Sequence, residues 1–77
     1  MSKIEHKQYF YPSGKIKYEA WYKEGKYHRE VLPAYIKYYE SGKIEYEAWY
    51  KEGNTHREVL PAIIEYEESE VKDETNN

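Results

Sequence analysis

The chain repeats itself. Residues 11–38 (YPSGKIKYEAWYKEGKYHREVLPAYIKY) and 39–66 (YESGKIEYEAWYKEGNTHREVLPAIIEY) agree at 22 of 28 positions when shifted by 28 residues. A fixed period of this length marks architectures in which one supersecondary unit buries its apolar face against the next. A half unit precedes the first copy, with His6–Phe10 standing where Ala34–Tyr38 stand. A third begins at Glu67, with Glu70 in place of its turn glycine. Two full units with ragged ends are therefore expected, a repeat domain over residues 1–66.

Within a unit the hydrophobic period is 2. Ile16, Tyr18, Ala20 and Tyr22 alternate with Lys15, Lys17, Glu19 and Trp21. The β-branched and aromatic content suits strands, and helical spacing does not fit. Turn residues fall between the runs: Pro12-Ser13-Gly14, Glu24-Gly25, Pro33, Ser41-Gly42, Glu52-Gly53 and Pro61. The spacing predicts an all-β, single-layer antiparallel meander of β-hairpins, with strands near 6–10, 15–22, 34–39, 43–50 and 62–66. A second turn is expected at Lys23–Lys26, then a short extended piece and a bend at Pro33. Tyr11–Lys15 and Tyr39–Lys43 read as three-residue hairpin loops with Gly14 and Gly42 in the left-handed region. That loop places Tyr38 opposite Ile44, Lys37 opposite Glu45 and Ile36 opposite Tyr46.

Strict alternation then assigns two faces. One carries Ile16, Tyr18, Ala20, Ala34, Ile36, Tyr38, Tyr46, Ala48 and Ile64. The other carries Glu19, Trp21, Tyr35, Lys37, Glu47, Trp49, Ile63 and Glu65. No helix is available to cover either. Two covers for the first face are open: the 23–33 and 51–61 loops, with Val31, Leu32, Val59 and Leu60 as plugs, or a second subunit. The two unpaired edge strands, 6–10 and 62–66, also invite a homo-oligomer.

Composition narrows the function. Cysteine is absent, which removes disulfides, thiolate metal sites and cysteine nucleophiles. No apolar run approaches the ~18 residues of a membrane helix, and the N-terminal MSKIEHKQ has no secretory apolar segment. A soluble cytoplasmic protein is expected. Residues 67–77 hold five acids and one Lys, a net of −4, and are expected to be a disordered acidic tail. The body, with 11 basic and 10 acidic groups, is near neutral, so no nucleic-acid partner is expected. Lys15, Lys23, Lys26, Lys43 and Lys51 alternate with Glu24, Glu40 and Glu52, which weakens any pull toward a membrane surface.

The string Y-x-S-G-K-I-x-Y-E-A-W-Y-K-E-G-x-x-H-R-E-x-x-x-P-A resembles the MORN-like repeats, in the short variant found in bacteria and some large viruses. Gly14, Gly25, His28, Arg29, Glu30, Pro33 and Ala34 carry the match in one copy. Gly42, Gly53, His56, Arg57, Glu58, Pro61 and Ala62 carry it in the other. Val-Leu at 31–32 and 59–60 stands where that pattern has Asp-Gly. The resemblance implies a β-hairpin array without catalytic activity, used for protein interaction or as a spacer. Some bacterial relatives are classed as antitoxins, and relatives with the longer repeat are linked to lipid surfaces.

The residues themselves point the same way. His28 and His56, each followed by Arg-Glu, read as structural ladder residues. Their rings and guanidinium groups are expected to bond loop carbonyls, with Glu30 and Glu58 paired to arginine. Neither metal nor cofactor is expected, nor an enzyme, since no hydroxyl nucleophile is repeated beside the histidines. Trp21 and Trp49, with Tyr11, Tyr35, Tyr39 and Ile63, read as an aromatic strip in a charged surround, the composition of a protein interface. The competing reading has each Trp packing on Pro33 or Pro61. The expected function is a non-enzymatic protein-interaction module, antitoxin-like in type. A self-assembling structural repeat and a carbohydrate or lipid-surface binder are the alternatives.

Overall fold

Turn chemistry divides the chain as expected. A computed structural model describes residues 3–67, so the acidic segment from Glu68 onward lies outside the described residues. Among the described residues eight strands form: β1 (Ile4–Phe10), β2 (Ile16–Lys23), β3 (Lys26–Tyr27), β4 (Tyr35–Tyr38), β5 (Ile44–Ala48), β6 (Tyr50–Lys51), β7 (Asn54–Thr55) and β8 (Ile63–Glu65). The main sheet runs β1-β2-β4-β5-β8, all neighbours antiparallel, with β3 hairpinned onto β2 and β6 paired with β7. The molecule is 14 Å across its thinnest axis. That is one sheet thick, since two stacked sheets alone lie about 10 Å apart before their outer side chains.

The tight turns take the expected form. Gly14 N–H donates to Tyr11 O and Tyr11 N–H to Lys15 O, both at 2.8 Å, with Gly14 at φ 95°. Tyr39, Gly42 and Lys43 repeat the pattern, with Gly42 at φ 100°. The second turn pairs Tyr22 with Tyr27 through Glu24-Gly25, both at positive φ, the pattern of a type I′ hairpin.

The register departs from strict alternation. Tyr38 faces Ile44, as the three-residue loop requires, but Lys37 faces Tyr46 and Ile36 faces Glu47. Glu45 is the extra residue of a β-bulge, and Lys17 is its counterpart between Phe10↔Ile16 and Tyr9↔Tyr18. A one-residue slip turns every following side chain to the opposite face. Tyr35 and Lys37 therefore lie with Tyr18, Ala20, Tyr46 and Ala48, while Ile36 and Tyr38 lie with Glu19, Trp21 and Glu47. On β8, Ile63 joins the first set, opposite Ala48, and Ile64 the second, opposite Glu47. The expected pairings Lys37–Glu45 and Ile36–Tyr46 are thus replaced, although Lys37 Nζ still lies 3.9 Å from Glu45 across the bulge.

The core is small. Ala20, Ala34 and Ala48 are fully buried, with Ile36, Trp49 and His28 nearly so. Val31, Leu32, Val59 and Leu60 are 55–90% exposed, so they do not plug a face. The 28–33 loop crosses the tryptophan side of the sheet instead.

Candidate functional site

The residues singled out from sequence fall on two faces. Trp21 and Trp49 share one side with the His-Arg-Glu loops, and Tyr35 and Ile63 lie on the other. Tyr11 and Tyr39 tie adjacent hairpins together, their hydroxyls donating to Tyr38 O (2.7 Å) and Tyr66 O (2.6 Å). The six do not form one strip, because the bulge at Glu45 moves Tyr35 across the sheet.

On the tryptophan side, neither indole packs as a bare anchor. Arg29 lies with its guanidinium carbon 3.6 Å from the Trp21 ring centroid, and His6 stacks on the same indole at 4.3 Å, 8° from parallel. Arg57 repeats the contact on Trp49 at 3.6 Å. These are cation–π contacts, strongest when desolvated. Burial pulls the Arg29 guanidinium below its ordinary value, with Glu19 and Tyr38 opposing. Each arginine is held by its own loop, Nη1 donating to Pro33 O or Pro61 O at 3.1 Å, as expected. The glutamates differ from expectation. Glu30 accepts from His28 Nε2 at 2.8 Å and meets Lys51 of the next unit at 3.5 Å; Glu58 pairs with His56 at 3.2 Å. Arginine goes to the aromatic face instead, and the shorter His and Lys contacts take the carboxylates. Those contacts hold the Glu30 carboxyl below the usual range, the His28 hydrogen bond first and Lys51 after it.

Behind the indoles sits a polar cluster. Glu19 accepts from Tyr38 Oη at 2.5 Å and Gln8 Nε2 at 3.4 Å, and pairs with His6 Nε2 at 2.7 Å. Burial raises its pKa, but the hydrogen bonds from Tyr38, His6 and Gln8 outweigh that and leave it lowered. Burial and the Glu19 bond push the Tyr38 phenol upward.

The opposite side carries a feature the sequence reading missed. Tyrosine rings cross the sheet in a continuous relay: Tyr9–Tyr18 (4.5 Å), Tyr18–Tyr35 (5.6 Å) and Tyr35–Tyr46 (5.7 Å). Tyr27 is the hub, touching Tyr22 at 5.1 Å, Tyr35 at 5.8 Å and Tyr50 at 4.9 Å. Burial first, then the neighbouring phenols, pushes Tyr27 up to about 12. Tyr35 and Tyr46 shift the same way for the same leading reason. Beside this relay lies an open groove of about 770 Å³, lined among others by Tyr27, Tyr35, Lys37, Tyr46, Tyr50 and Glu65. The signal for it was present, since tyrosine recurs four residues apart at 18 and 22 and again at 46 and 50, which places each pair on one face of a strand. Placing Tyr35 among them required the bulge.

Among the described residues, no group of three or more His, Asp or Glu side chains is placed to hold a metal ion. No described helix is long and apolar enough to cross a membrane. Comparison with protein-family models, with curated proteins and with solved structures returns no match.

Proposed function

We propose that this chain is a non-enzymatic protein-interaction module and that its contact surface is the tyrosine face rather than the tryptophan side. The observation that supports this is the relay Tyr9–Tyr18–Tyr35–Tyr46, joined by Tyr27 and Tyr50, half-buried except for the exposed Tyr9 and lying over a sheet that carries no second layer among the described residues. Tyrosine suits such a surface. It offers a large apolar ring with few rotors and a hydroxyl that bonds either water or a partner. Rings already stacked on one another lose little conformational freedom when a partner arrives. Lys37, Glu45 and Glu65 supply a mixed polar margin around the groove, the pattern of an apolar centre with a polar rim.

The tryptophans serve the fold in this reading. Their faces are occupied by Arg29, His6 and Arg57, and Trp49 is only 8% exposed. The partner implied by the resemblance, a toxin neutralised by binding, is one candidate for the tyrosine groove.

Affinity capture from the source cells, followed by titration of the purified partner, tests the proposal. Tyr46→Ser with Tyr50→Ser should keep the far-ultraviolet spectrum of the parent chain and lose the partner. Undiminished binding by that variant would remove the tyrosine face from consideration, and saturable binding of a sugar in place of a protein would replace the proposal altogether.

A further inference from the structure

His28 and His56 sit in the same motif with the same local bonds, yet the first side chain is 5% exposed and the second 46%. The difference is what lies against them. The 28–33 loop docks on the β6–β7 hairpin of the next unit. Glu52 N–H donates to His28 Nδ1 at 3.0 Å, Arg29 N–H to Tyr50 O at 3.1 Å and Gly53 N–H to Tyr27 O at 2.9 Å. The Trp49 indole N–H reaches Val31 O at 3.1 Å, and Lys51 meets Glu30.

The 56–61 loop has the same shape. Arg57 caps Trp49 and bonds Pro61 O, and His56 N–H donates to Trp49 O at 2.9 Å. Among the described residues no hairpin covers it: His56 is exposed where His28 is buried, and Pro61 is exposed where Pro33 is buried. Among the described strands, β8 likewise lies at the edge of the sheet.

We propose that this end, the 56–61 loop with the outer edge of β8, docks a second copy of this chain through that copy's Trp21–Gly25 hairpin. The fit is chemical identity. Residues 18–25 and 46–53 both read YEAWYKEG. Their turns match in backbone, with Glu24 at φ 53° and Glu52 at 51°, Gly25 at 79° and Gly53 at 85°. Arg57 N–H would meet Tyr22 O, the Trp21 indole would meet Val59 O, and Glu58 would meet Lys23, each as its counterpart does within one chain.

On the receiving copy the outer edge of β2 is held by β1. Trp21 turns its N–H to Ala34 O and its carbonyl to His28. Alternation then turns the backbone groups of Ala20 and Tyr22 toward β1, opposite Lys7 and Glu5. Arg29 takes the equivalent carbonyl of Tyr50 in the second unit. The incoming loop and β1 thus compete for the same groups. β1 is the exposed edge strand of the sheet, and docking would exchange it for the incoming loop at Tyr22. A head-to-tail contact of this kind propagates rather than closes. It meets the tyrosine face only at its margin, at Glu65 of β8 and Tyr9 of β1, and leaves Tyr46 and Tyr50 out, so variants at those two positions and at His56 separate the two proposals.

Sedimentation velocity on the full chain tests it. Glu5→Pro with Lys7→Pro removes two of the N–H groups that β1 turns toward β2, those beside the docking site, and should shift the chain from monomer to larger species at concentrations where the parent stays monomeric. Adding His56→Ala should abolish that shift. Because the chain has no cysteine, Lys23→Cys and Glu58→Cys copies can be mixed with a bismaleimide, and the 23–58 product should dominate. A folded double-proline variant that remains monomeric overturns the proposal. If that variant unfolds, the cross-link decides: only 58–58 or 23–23 products, or none, overturn it.

Discussion

His28 accepts a hydrogen bond on Nδ1 from the backbone N–H of Glu52, and this one contact marks where the two units meet. The opposite ring nitrogen, Nε2, pairs with Glu30, so the neutral tautomer with its proton on Nε2 satisfies both partners. Removing the ring strips the Glu52 donor of its acceptor and opens a space in the joint. His28→Ala should cost about 1–3 kcal/mol. His56 has no hairpin against it, and His56→Ala should stay within about 0.5 kcal/mol of the parent. Urea unfolding followed by circular dichroism compares them. Equal losses at the two positions would mean that the local loop, not the joint, is what each histidine stabilises.

The turn at Glu52-Gly53 holds a second prediction. Glu52 sits at φ 51°, where an L side chain is strained, and the type I′ pattern favours Asn-Gly. Glu52→Asn keeps the backbone N–H that His28 needs. It should add about 0.5–1 kcal/mol and raise the melting temperature by several degrees. A melting temperature that falls or stands still would show that the Glu52 side chain contributes more than its backbone strain costs.

Stability should narrow at both ends of the pH scale. The folded Glu19 carboxyl is lowered, so its contribution is complete above the ordinary carboxylate range and is lost as pH falls through the lowered value. Tyr38→Phe removes the shortest of its hydrogen bonds, should cost about 1–3 kcal/mol near neutrality, and should flatten the acid limb. At the alkaline end the sign reverses. Folded Tyr27 keeps its proton to about 12, whereas an unfolded tyrosine releases it near ~10. The unfolded state is therefore favoured as pH rises through that interval, and Tyr27→Phe should lessen the loss. Phenolate absorbance during alkaline titration, with melts at each pH, reads both effects.

Much of the fold is legible in the order of residues alone. The duplicated 28-residue string, the period of 2 and the placement of Gly14, Gly25, Gly42 and Gly53 determine strands, turns and antiparallel order, because they act through local backbone preference. The strip drawn through Trp21, Tyr35, Trp49 and Ile63 does not survive, because alternation carries no information about an inserted residue. Only the assembled sheet places the bulge at Glu45, which decides which side Tyr35 and Ile36 face relative to β5, and only it sets the register that puts Ile63 opposite Ala48. Tertiary contact also decides what identical letters become. His28 and His56 share the six residues that follow them, Arg-Glu-Val-Leu-Pro-Ala, yet one is a buried joint and the other an open end, because burial depends on whether another unit lies against the loop.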